Sequence, residues 1–206
     1  SRRIRGPWAL PQRLRVDETL QERLFERLAG KAMGSSTKRG KPYTWLVNHL
    51  QDGRDQVSPR SFFAALRTAA DEQATDDELA IGYRGIQRGV QQASTIRVTE
   101  ITEDYPWVKL IMQPLNGNLT VPCLVRDIES VWKRERTMES LVSMLSKQGK
   151  AAKLPPAHLE QGALGVIIDL EGLGMLNRIE GRRIQMPDVY RVAFGLGRRG
   201  GVKPLK

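Results

Sequence analysis

Ala163-Leu-Gly-Val-Ile-Ile-Asp-Leu-Glu-Gly-Leu-Gly-Met-Leu-Asn-Arg-Ile-Glu-Gly-Arg-Arg-Ile-Gln-Met-Pro-Asp-Val-Tyr-Arg-Val192 changes its hydrophobic period part-way along, and the change decides how the C-terminal half is read. Leu164, Ile167, Ile168 and Leu170 fall at helical spacing, Gly172 and Gly174 supply helix-stop chemistry, and from Met175 onward the pattern turns toward strand. Between Ile179 and Ile184 stands Glu180-Gly181-Arg182-Arg183. Gly181 accepts the positive φ that a tight turn needs, and the two arginines are expected at or beside the tip.

A helix followed by a basic two-stranded wing is the construction of winged-helix domains, so nucleic acid is the first partner to weigh. Arg178, Arg182 and Arg183, with Arg198, Arg199 and Lys203 in the tail, are the candidate DNA contacts. Their chemistry is phosphate neutralisation, which gives salt-sensitive affinity and little sequence information. The helix before the hairpin is poor in base-reading side chains: Gln161 is its main polar reader, and Asp169 and Glu171 repel a phosphate backbone. Sequence-specific reading by this helix is therefore not expected. A protein-docking or autoinhibitory module remains the alternative, because fold alone does not settle function.

Composition agrees with a polyanion partner without choosing one. The 206 residues carry 33 Lys and Arg against 23 Asp and Glu, a formal net charge of +10. One cysteine, Cys123, forms no internal disulfide, and two histidines, His49 and His158, offer no zinc spacing. A reduced, cytoplasmic protein without metal or cofactor is expected. No apolar run reaches membrane-spanning length, and Ser1-Arg-Arg-Ile-Arg lacks the apolar core of a secretion signal. The chain opens without an initiator methionine, so a longer parent polypeptide is expected.

Along the chain, residues 1–12 read as a basic arm broken by Pro7 and Pro11. Asp17 caps a helix to about Ala29, with Leu20, Leu24, Phe25 and Leu28 on one face, and Gly30 to Pro42 is a loop. Tyr43 to Leu50 presents Tyr43, Leu46, Val47 and Leu50 inward. A third helix starts sharply at Ser58-Pro59-Arg60-Ser61 and runs to about Gln73, with Ser58 as N-cap and Pro59 at the first helical position. Tyr83 to Ser94 reads as helix, Asp104 to Met112 as a short helix, Val121 to Arg136 as a longer one on the stripe Leu124, Val125, Ile128, Val131 and Trp132, and Thr137 to Lys147 as another. The fold class is mainly α: a helical lid-like module over 13–80, a helical connector over 81–119, and a winged-helix domain over 120–206.

Catalytic constellations are missing from the sequence. Neither Gly30-Lys-Ala nor Gly40-Lys-Pro makes a phosphate-cradling loop. His49 and His158 read as structural or surface residues, Asp76 and Asp77 as a solvated acidic loop, Cys123 as a small buried residue, and Trp107, Trp132 and Tyr190 as core anchors. Arg60 is more pointed, since a cation in the first turn of a helix opposes the macrodipole and calls for an anion. Asp52 or Asp55 in the preceding loop is one candidate for that anion, and a nucleotide phosphate held by another domain is the other.

Tyr43-Thr-Trp-Leu-Val-Asn-His-Leu followed by Val57-Ser-Pro-Arg-Ser-Phe-Phe-Ala-Ala-Leu resembles the helical lid after the nucleotide-binding core of bacterial AAA+/STAND-like P-loop ATPases. The resemblance implies that Arg60 takes the place of the sensor 2 arginine, which reaches the γ-phosphate. Met186-Pro-Asp-Val-Tyr-Arg and Gly195-Leu-Gly-Arg-Arg-Gly-Gly-Val-Lys-Pro resemble the C-terminal winged-helix part of large bacterial ATPases. The resemblance covers about half of the chain and departs from the family in lacking Walker A and Walker B. It implies a non-catalytic C-terminal portion of an ATPase, with an ATPase core domain and DNA as partners.

Overall fold

Asp17 accepts a hydrogen bond from the Leu20 amide at 3.1 Å, which opens α2 (Glu18–Ala29) where the sequence places a cap. The computed structural model describes residues 11–72 and 78–198. A short α1 (Gln12–Val16) precedes that cap; α3 (Pro42–Leu50) and α4 (Pro59–Asp71) follow, each with proline in its first turn. Ser58 makes no side-chain capping bond, so Pro59 rather than a hydroxyl cap defines the start of α4. The chain then enters α5 (Tyr83–Asp104) and α6 (Pro106–Met112). The fold is mainly α, with ten α-helices and five short strands among the described residues.

Two apolar cores share α5. The first gathers Ala29, Met33, Leu46, Leu50, Ala65, Ala69, Ile86, Val90 and Ala93. The second begins at Ile101 and holds Trp107, Ile111, Trp132, Leu141, Ile167, Leu170 and Tyr190. Val192, from the C-terminal segment, enters the first core, and the Gly53 amide donates to the Gly174 carbonyl at 2.7 Å. Both links bind the two halves along one seam.

Within the first core α4 and α5 approach at backbone contact. Ser61, Ala65 and Ala69 on α4 face Gly85, Gly89 and Ala93 on α5, small residues four apart on both helices and all buried. A Cβ at Gly89 would lie 2.3 Å from the Ala65 carbonyl oxygen, and one at Gly85 would lie 2.7 Å from that of Ala69. Glycine is thus required by proximity.

The helix expected from Val121 to Arg136 is shorter than its apolar stripe. Thr120–Val121 forms β1, Cys123–Leu124 forms β2, and α7 (Val125–Arg134) starts only after them. Pro122 has no amide proton and disfavours helical backbone before it, and the Asp127 carboxylate caps the Leu124 amide at 2.8 Å. Then come α8 (Thr137–Gln148), α9 (Gly162–Gly172), β3 (Asn177–Ile179), β4 (Arg183–Gln185), α10 (Asp188–Arg191) and β5 (Gly197–Arg198). β2, β4 and β3 form an antiparallel sheet in that order, with Cys123 opposite Ile184 and Arg178 opposite Ile184 on the other side. β1 and β5 pair in parallel, Thr120 with Gly197 and Val121 with Arg198.

Two expected stripes are only partly buried. On α2, Leu24 and Leu28 are exposed, while Phe25 packs edge-on against Tyr43 and Ala29 is buried. On α9, Ile167 and Leu170 are fully buried, whereas Leu164 is 51% and Ile168 38% exposed. Apolar residues thus occupy more of the α9 circumference than its core contact uses.

Candidate nucleic-acid interface

The hairpin forms where the turn residues place it. Gly181 has φ +74° and Arg182 follows at φ +56°, so the chain reverses over Glu180–Arg182 between β3 and β4. Arg182 and Arg183 are exposed at this turn, and neither has a carboxylate partner among the described residues. Arg183 Nε donates to the Glu180 carbonyl at 3.3 Å, which leans the side chain along the turn. Leu124 pairs with Arg183, and two residues later the exposed Arg126 opens α7. The sequence reading did not single out Arg126.

Other candidate contacts are already engaged. Arg178 Nε lies 2.7 Å from Glu171 Oε1 on α9, which neutralises the acidic residue that otherwise opposes a phosphate. Arg198 Nη1 lies 3.0 Å from Asp188 Oδ1 and is mostly buried. Arg199 and Lys203 lie outside the described residues, as do Asp76, Asp77 and most of the expected N-terminal arm. Of the named set, Arg182 and Arg183 are left as uncommitted charges.

Arg60 pairs with Glu100 on α5, Nη1 to Oε1 at 2.8 Å, and not with Asp52 or Asp55. Its side chain is 74% exposed. Glu100 also faces Arg97 at 3.5 Å, and Arg97 Nε donates to the Tyr190 hydroxyl at 3.1 Å. The anion that relieves the first turn of α4 therefore comes from the neighbouring helix, forty residues along the chain.

Residues without a proposed role organise the seam between the halves. Buried Asp188 accepts through Oδ1 from buried Arg191 Nε at 2.7 Å and from Arg198 Nη1 at 3.0 Å. Arg191 Nη1 also donates to the Leu196 carbonyl at 2.8 Å. Burial alone raises the pKa of a carboxyl group, but the bond from Arg191 and the surrounding guanidinium charge outweigh it and hold Asp188 below its usual value. The i,i+3 spacing of Asp188 and Arg191 just after Pro187 is the local signal for this pair.

Each histidine has a partner within the chain. His49 Nδ1 donates to the Trp45 carbonyl at 2.8 Å, and the ring stacks on Trp45; burial lowers its pKa. His158 Nδ1 lies 2.6 Å from Asp169 Oδ1, and its amide donates to Asp169 Oδ2 at 3.0 Å. This carboxylate raises the His158 pKa. The Cys123 thiol is buried and pushed up to about 11, chiefly by that burial. Trp107, Trp132 and Tyr190 are core residues, with indole N–H groups donating to the Leu154 and Ile111 carbonyls.

Among the described residues no group of three His, Cys, Asp or Glu side chains is arranged to hold a metal ion. None of their helices is long and apolar enough to cross a membrane. In comparisons with known proteins the chain matches no family model, no curated protein and no solved structure.

Proposed function

We propose that this chain binds duplex DNA without sequence preference, through phosphate contacts at the hairpin tip. The observation that carries the reading is the exposure of Arg182 and Arg183, free of carboxylates, on a hairpin fastened to the helical body by β2. Arg126, two residues along the chain from the strand partner of Arg183, is a further exposed arginine. The succession α7, α8, α9 and a hairpin whose second strand is central in a three-stranded sheet supports reading residues 120–198 as a winged helix. Phosphate contacts suffice for affinity here, since α9 offers no base-reading face.

The reading extends to parentage: a non-catalytic C-terminal portion of a P-loop ATPase, working with a core domain that carries the nucleotide. In that setting Arg60 exchanges Glu100 for a γ-phosphate. The exposure of the Arg60 side chain and its single carboxylate partner support an exchangeable contact.

A second reading has its own observation. Leu164 and Ile168 are exposed one turn apart on α9, an apolar pair suited to a protein surface rather than to a phosphate backbone. Fluorescence anisotropy with a labelled random-sequence duplex tests both readings, on the intact chain, Arg182→Ala/Arg183→Ala and Leu164→Ser/Ile168→Ser. Binding lost only in the arginine variant supports the DNA reading. Failure of the intact chain to bind at low salt refutes it and favours docking on protein.

A further inference from the structure

A cleft of about 330 Å³ opens where the second half of α5 meets α6, the turn after α6 and the segment that follows α10. Buried Met112 and Phe194 form its apolar lining together with Val98 and Ala193. Two hydroxyls also line it, but their protons are committed: Thr99 Oγ1 donates to the Thr95 carbonyl at 2.9 Å, and Thr102 Oγ1 to that of Val98 at 2.8 Å. Three lining side chains keep free N–H donors. Lys109, Gln113 and Asn116 are exposed, and none has a hydrogen-bond or ion-pair partner among the described residues. No carboxylate lines the cleft, and Asp104 at the end of α5 pairs with Lys153 rather than with Lys109. Asn116 is set in place by a glycine: a Cβ at Gly195, where φ is +71°, would lie 2.3 Å from Asn116 Oδ1.

An apolar lining with a few polar groups beside it, in a space of roughly 300–1,000 Å³, is the usual form of a small-molecule site. The ammonium of Lys109, with two carboxamides near it and no facing acid, complements a single negative charge and disfavours a cation. A polyanion is a poor match, because one cation balances little of its charge and its phosphates gain nothing from Met112 and Phe194. A carboxylate accepts from ammonium and amide donors at once, while the hydrocarbon attached to it covers the apolar wall. We propose that this cleft binds a small monocarboxylate with an aromatic or short aliphatic body. It shares no residue with the hairpin tip and does not depend on DNA binding there.

The chain has six methionines, and Met112 is the one that lines the cleft, so methyl NMR of methionine-labelled protein reads the site by itself. The probes are phenylacetate and hexanoate, each beside its neutral amide, which keeps the shape but removes the charge. The expected result is a saturable shift of the Met112 methyl with a carboxylate, no shift of Met33 in the other core, and a weaker response to the amides. Binding by both carboxylates supports a site for the class, and binding by one alone supports it and identifies the body. Lys109→Gln is expected to weaken carboxylate binding about tenfold, as loss of one charge-assisted hydrogen bond does, and to leave the response to the amides unchanged. Lys109 is exposed and unpaired among the described residues, so the substitution leaves the fold intact. Equal responses to carboxylates and amides, undiminished carboxylate binding by Lys109→Gln, or no saturable Met112 shift would overturn the proposal.

Discussion

Replacing Gly89 by alanine tests the helix contact on which the first core rests. On an exposed helix the change stabilises by about 1 kcal/mol, because alanine has the better helix propensity. Here the new Cβ would stand 2.3 Å from the Ala65 carbonyl oxygen, a backbone atom that cannot rotate away. Ordinary contact requires α4 and α5 to separate by about 1 Å, a gap that forfeits roughly a quarter to a half of each affected dispersion contact. Overpacking of this kind costs about 1–3 kcal/mol, and the parting of Ala65, Ala69, Ile86 and Val90 adds to it. After the propensity gain the net loss is about 2 kcal/mol, or roughly 4–8 °C in melting temperature for a chain of this size. Gly172→Ala is the control: Gly172 ends α9, has nothing within 4 Å of an added Cβ, and does not have positive φ. Thermal unfolding followed by circular dichroism is expected to show Gly89→Ala below and Gly172→Ala at or above wild type. A Gly89→Ala variant that melts as high as wild type would refute the backbone contact.

Three further outcomes follow from the buried and titrating groups. Arg191→Met removes the main partner of buried Asp188 and is expected to destabilise by about 3–5 kcal/mol in urea unfolding, the range for breaking a buried pair from one side. In an NMR pH titration the two histidines should separate, His49 below 6.5 and His158 above it. The unfolded chain binds a proton at His49 more readily than the folded one, so its contribution to stability is present above pH 6.5 and is lost as pH falls through the lowered folded value; His158 contributes below pH 6.5 and loses that contribution as pH rises through its raised value. Cys123, with its thiol pushed up to about 11, is expected to react with a disulfide reagent at pH 8 only as fast as the chain unfolds, and rapid labelling of the native protein would contradict its burial.

Local signals in the sequence were sufficient where neighbours in the chain decide the structure. Asp17 and Pro59 mark helix starts, and Gly181 marks the hairpin turn, because capping, fixed φ and positive φ are properties of a few adjacent residues. The strands at 120–124 were hidden because their apolar residues also fit a helical stripe, and their partners lie some sixty to seventy-seven residues away. Glu100 as the partner of Arg60, and His49 beside Asp188, were hidden for the same reason: the first contact depends on how α4 packs on α5 and the second on how α3 packs on α10. The small-residue faces were present in the spacing of Ser61, Ala65 and Ala69 and of Gly85, Gly89 and Ala93, where a period of four signals close helix approach. Of the candidate interface, the turn and its arginines were legible, but the withdrawal of Arg178 and Arg198 into ion pairs was not.

DNA binding through the hairpin is tested most directly by the salt dependence of affinity for a random-sequence duplex. Each phosphate neutralised contributes about 0.9 to the slope of log K against log salt, so Arg182→Ala/Arg183→Ala should flatten the slope by about 1.8 and weaken binding most at low salt. An unchanged slope, or no binding by the intact chain even at low salt, would contradict the claim that these two arginines face DNA.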